Sequence, residues 1–232
     1  MGKMVWKEKK AADERLRTKR FEEQGAALRA SGAEEKDVTF GMAAANFLGF
    51  LCSLPFCAAA VLLYVFCAEV TALPLPALVS ILLFLAAWIL CVFVHEGLHY
   101  LAWGIVNRSF KGLHIRFSWT AAYCSCEIPM RKGKYLCGTA APFLFLGLGI
   151  CCAGILTGEL YCFLLGVFNM IGAGGDLLLL FRGIFVRRDA VLLDHPVRCG
   201  FVCFLPGRVS VGTDGKKRGE RSKRGTLPEE KD

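Results

Sequence analysis

The sequence predicts an all-α membrane protein, a bundle of four transmembrane helices with a short cytoplasmic β-hairpin between the second and third spans. Three observations predict it. The 232 residues are 55% hydrophobic and only 21% charged, with a mean hydropathy of +0.47, which is too apolar for an ordinary soluble domain. Four apolar stretches, residues 44–68, 75–106, 137–156 and 160–181, are each long enough to cross hydrocarbon. All 28 Lys and Arg residues fall outside them: ten in 1–41, six in 107–136 and twelve in 182–232. The turns around Glu69 and Glu159 carry none.

This alternation is the one expected of four antiparallel spans with both termini and the middle loop in the cytoplasm, and the cell membrane is the expected location. The bases behind the net charge of +8 all sit in those three segments, so their expected partner is the lipid bilayer rather than nucleic acid. Both outer turns are short, which makes spans one and two neighbours, and likewise spans three and four.

Residues 1–43 form a cytoplasmic charged arm. Its mixture of Lys7, Glu8, Lys9, Lys10, Asp13, Glu14, Arg15 and Arg17 contains no apolar core, so a signal peptide is not expected. The pattern suits a polar helix to about Ala30, solvated or lying on a membrane surface. The core is expected over 44–204 and a disordered basic tail over 205–232, where Gly, Lys and Arg dominate. Of the twelve cysteines, Cys52, Cys57, Cys67, Cys91, Cys151, Cys152 and Cys162 lie in apolar spans and read as small hydrophobes. Cys124, Cys126, Cys199 and Cys203 fall on predicted cytoplasmic segments, where thiols stay reduced; a structural zinc among them is the alternative, although their gaps are not the usual paired spacing.

Span two contains His95-Glu96-Gly97-Leu98-His99, an HExxH pattern. Positions 95 and 99 are about 40° apart around a helix, so both imidazoles can reach one metal ion, with Glu96 beside them as general base. An acid at the centre of a membrane helix costs about 2.5–3.5 kcal/mol, so such residues are kept for function. One other acid lies inside a span, Asp176, in the run Asn169 to Asp176 on span four. His99 is seven residues from the predicted end of its span and Asp176 five from the end of its own, so the two share a layer. The expected centre is therefore Zn2+ on His95, His99 and Asp176, with Glu96 as the catalytic residue.

With these motifs the chain resembles the membrane zincin peptidases, a family long described as a domain of unknown function and distantly similar to site-2 proteases. The resemblance runs from about Phe47 to Phe204. It rests on HEGLH, on Ala141-Pro142-Phe143 at the third span, on Asn169 to Asp176, and on Asp194-His195-Pro196 with Gly200. It implies a zinc-dependent fold with His95, His99 and Asp176 as ligands and Glu96 as catalytic acid and base. Where site-2 proteases carry Leu-Asp-Gly, this chain reads Gly175-Asp176-Leu177.

In the middle loop, Leu113, Ile115, Phe117 and Trp119 alternate with His114, Arg116 and Ser118, and Tyr123 to Ile128 forms a second extended run. The two read as a β-hairpin, which could hold an unwound peptide by strand addition or rest on the membrane surface. His114 reads as a polar-face strand residue and His195 as part of a turn. The function expected from these residues is intramembrane metallopeptidase action on membrane-associated substrates near the cytoplasmic face. The alternatives are a non-enzymatic metal-binding membrane protein, whether transporter or sensor, and a degenerate zincin scaffold.

Overall fold

A computed structural model describes residues 2–71, 75–117 and 122–207. The elements run α1 (Gly2–Ala30), β1 (Glu34–Phe40), α2 (Met42–Cys67), α3 (Ala77–Asn107), β2 (Leu113–Phe117), β3 (Ala122–Cys126), β4 (Met130–Arg131) and α4 (Lys132–Pro142). α4 continues through a π-helical stretch (Phe143–Gly149) into α5 (Ile150–Thr157), followed by α6 (Leu160–Gly172), α7 (Gly174–Ile184), β5 (Val191–Asp194) and β6 (Cys199–Leu205). Ser118 and Trp119 of the expected hairpin, and the expected disordered tail beyond Gly207, lie outside the described residues.

Three helices are long and apolar enough to cross a membrane: α2, α3 and the continuous rod Lys132–Thr157. Their outward faces carry exposed Val65, Phe66, Leu78, Ile89 and Leu90, side chains that water would not tolerate in such density. The third rod starts five residues before the expected boundary, because Lys132 need not stay in a loop. Its Nζ donates to the carbonyls of Ile184 and Val186 at 2.9 and 2.6 Å, so the charge is satisfied at the helix end.

The fourth apolar stretch is not the single rod expected over 160–181. α6 and α7 meet at Ala173 with a bend of 52° and are long and apolar enough to cross only as a pair. The Gly-rich sequence around the break lets α7 press against α2, where a Cβ on Gly174 would lie 2.5 Å from the carbonyl oxygen of Gly49. The break also gives α7 its own N-terminus, with Asp176 in the first turn, where the helix dipole favours a carboxylate.

An all-α reading also misses a four-stranded antiparallel sheet, ordered β1-β6-β5-β4. β6 is buried along its whole centre because both of its faces are covered. On one face Phe201 and Cys203 join Trp103, Tyr135 and Leu192 in a core shared with the helices. On the other, Leu193, Val202 and Phe204 pack against Phe21 and Leu28 of α1. The arm is helical to Ala30, as its sequence suggests, but it lies on this sheet. Full burial of a residue such as Phe201 or Leu192 is worth about 1.5–3 kcal/mol, which holds these elements together beside the helices. β2 and β3 form a separate two-stranded antiparallel hairpin, with Ile115 opposite Cys124.

Candidate metal centre

α3 carries His95 and His99 one turn apart, and their rings sit 5.0 Å from one another between centroids. The bend at Ala173 brings Asp176 against both. Its Oδ2 is 3.1 Å from His95 Nε2 and its Oδ1 is 3.3 Å from His99 Nε2. One ligand atom from each of the three residues lies within 4.8 Å of the others, and they are the one such His/Cys/Asp/Glu group among the described residues.

The buried His99 ring is held from behind. Its Nδ1 is 2.9 Å from the carbonyl oxygen of Gly138, and a carbonyl can only accept, so Nδ1 carries a proton and Nε2 is the ring nitrogen turned toward Asp176. Trp103 stacks on the same ring at 5.1 Å, and its Nε1 donates to the Tyr135 carbonyl at 2.9 Å. A side chain on Gly138 would collide with Trp103, its Cβ falling 2.1 Å from the indole.

Glu96 points to the hairpin. Its Oε2 accepts from the Cys124 backbone N–H at 2.5 Å. Two residues along β3, the Cys126 N–H donates to Asp194 Oδ2 at 3.0 Å, and the Tyr135 hydroxyl donates to Asp194 Oδ1 at 2.5 Å. Burial raises the Asp194 carboxyl above its ordinary range, against the opposing pull of these two donors. The sequence marks Asp194 only within a three-residue motif. What distinguishes it is its contact with β3, which no local pattern reveals.

These groups line a cavity of about 510 Å³. His95, Glu96, His99 and Asp176 open into it, and Glu14 and Arg17 of α1 form part of its wall. α1 is tied to the hairpin through Glu127, a side chain only 9% exposed. Its carboxylate meets Arg116 at 2.6 Å, Arg20 at 2.9 Å and Arg17 at 3.5 Å. His114 stands 3.8 Å from the same carboxylate and is not one of the metal-ligand group. His195 is the turn residue its sequence suggests: its Nδ1 accepts from the N–H groups of Val197 and Arg198 at 3.1 and 2.9 Å.

Two imidazoles and a carboxylate are a donor set for a divalent ion of intermediate softness, zinc foremost. The two short approaches run to different oxygens of Asp176, and one ligand atom from each of the three residues lies within 4.8 Å of the others. The residues therefore fit the group. Cys124 and Cys199 do not: burial pushes their thiols up to about 12 and about 11, and no group of cysteines among the described residues converges on one point.

Residues 88–191 match the model of the family described as "Putative zincin peptidase". The zincin match begins on α3 ahead of His95, takes in the hairpin and Asp176, and ends at the first residue of β5. It thus contains the whole metal-ligand group and Glu96, while α1, α2 and Asp194 lie outside it. No curated protein and no solved structure matches the chain.

Proposed function

We propose that this protein is an intramembrane zinc metallopeptidase that hydrolyses peptide bonds of membrane-associated substrates near the cytoplasmic face. Four spans, with α6 and α7 as one broken span, would carry it, and the basic segments would keep both termini and the hairpin in the cytoplasm. The observation that carries the reading is the approach of His95, His99 and Asp176 from two helices to one point, with Glu96 next in the chain to His95.

His95, His99 and Asp176 would hold the ion, and zinc there supplies Lewis acidity, polarising a peptide carbonyl and acidifying water. Asp176 brings the one negative charge among the ligands and His99 keeps its orientation through Gly138. Glu96 takes the proton from the attacking water and passes it to the departing amine. The substrate must be unwound for this, since a helix shields its own carbonyls. β3 offers the means: once Glu96 leaves the Cys124 N–H to act as base, that N–H borders the cavity free to pair with an extended peptide, while Cys126 stays held by Asp194. The α1 wall limits that peptide to the space between the arm and the hairpin.

The test is cleavage of a membrane-anchored reporter peptide by the purified, reconstituted chain and by Glu96→Gln. The variant should keep stoichiometric zinc and lose cleavage. Cleavage retained by Glu96→Gln overturns the proposal.

A further inference from the structure

β3 lies with one edge on β2 and the other facing two acids. Alternate residues of a strand direct their N–H groups to the same edge, so Cys124 and Cys126 both donate away from β2. The Glu127 N–H, one residue further on, turns the other way and donates to the Gly112 carbonyl at 2.8 Å. The outer edge is thus received at two successive points: Cys124 by Glu96 of α3, and Cys126 by Asp194 at the end of β5.

The two anchors differ in how firmly they are held. Glu96 has its Cys124 contact alone among its described hydrogen bonds, and a general base must be free to leave it. Asp194 is fixed at both oxygens, by Cys126 and by the hydroxyl of the fully buried Tyr135. Tyr135 in turn sits beneath Trp103, the residue stacked on His99, and its carbonyl receives the Trp103 indole N–H. The groups that orient His99 and the strand that meets Glu96 are therefore joined through one carboxylate.

We infer that Asp194 is a positioning residue: by holding Cys126 it sets the register of β3 over the metal centre, and so places the Cys124 N–H on Glu96. A slip of one residue would turn that N–H to the opposite edge and leave Glu96 facing a carbonyl. On the peptidase reading, on which this role in catalysis rests, the same register sets where a bound peptide strand lies against Glu96.

Amide hydrogen exchange at single-residue resolution tests the register without reference to activity. Asp194→Ala should speed exchange at Cys124 as well as Cys126, by about tenfold or more at each, because opening the strand at one anchor frees the other. Asp194→Asn should stay within about threefold of the native protein, since the amide oxygen can accept from Cys126 and the amide N–H can donate to the Tyr135 hydroxyl. Acceleration confined to Cys126 in Asp194→Ala, or equal acceleration in Asp194→Asn, overturns the inference. Should Asp194→Ala fail to fold, Tyr135→Phe removes one of the two donors to the carboxylate and should raise Cys124 exchange about threefold; no change there is equally fatal. In the reporter assay Asp194→Ala should lower kcat with KM and zinc content held, and Asp194→Asn should restore it. A native protein that cleaves nothing defeats the peptidase reading and leaves the exchange result standing.

Discussion

Gly174 meets Gly49 backbone to backbone. A Cβ on Gly174 would come within 2.5 Å of the Gly49 carbonyl oxygen, and one on Gly49 within 2.7 Å of the Gly174 carbonyl carbon. The atoms on both sides are main chain, so neither can swing aside. This contact seats the start of α7 against α2, two residues before Asp176, and so governs where that carboxylate stands. Gly49→Ala and Gly174→Ala should each weaken zinc binding by about tenfold or more through displacement of Asp176, as read by competition with a chromophoric chelator. Gly172→Ala, where a Cβ meets nothing within 4 Å, should leave the affinity unchanged.

Loss of the carboxylate itself should cost more. Asp176→Ala deletes one of three ligands and the negative charge among them, and zinc affinity should fall by at least about 100-fold. The competition titration that reports the glycine variants reports this one too. An unchanged affinity would mean that the ion is held elsewhere.

Glu127 should matter to stability out of proportion to a surface acid. Arg17, Arg116 and Glu127 are 11%, 17% and 9% exposed at their side chains, so Glu127→Ala leaves Arg17 without this acid and Arg116 with Asp13 alone. A loss of about 3 kcal/mol is expected, seen as a lower melting temperature in detergent and faster proteolysis within α1. Glu23→Ala breaks the exposed pair with Lys19 and should cost less than about 0.5 kcal/mol.

Stability should also fall in mild acid, in part through His195. Burial holds its imidazole below the ordinary 6.5, and two backbone N–H groups already occupy Nδ1. The folded protein thus binds this proton less readily than the unfolded chain. The contribution is complete above pH 6.5 and is lost as pH falls below it, where the unfolded state gains a proton that the folded state refuses. His195→Gln should flatten the pH dependence of the melting temperature between pH 5 and about 7, the window in which an unfolded histidine titrates. An unaltered slope would show that other groups control it.

Much of the centre is legible in the chain because its logic is local. A spacing of four residues puts His95 and His99 on one face of any helix, and an acid inside an apolar stretch marks Asp176 whatever surrounds it. The bend at Ala173 is less legible, since residues 160–181 have the composition of one straight span and the glycines near Asp176 show their purpose only against Gly49. The four-stranded sheet is hidden for another reason. The apolar runs of β5 and β6 are short, and their burial depends on α1 arriving on one face and Trp103 and Tyr135 on the other. The arm reads as a polar helix because most of its contacts to the hairpin are charged groups, which elsewhere would face water.

Sequence alone determined the apolar rods, the confinement of the basic residues to the segments outside the apolar stretches, and the two histidines with the glutamate between them, since each follows from helical period or composition along a continuous stretch of chain. Tertiary structure alone decided that Asp176 closes on those histidines, that Glu96 is met by Cys124, and that Asp194 holds the same strand at Cys126. Hydrogen-bond and ligand distances between segments tens of residues apart depend on how whole elements pack, and no short window of residues encodes that.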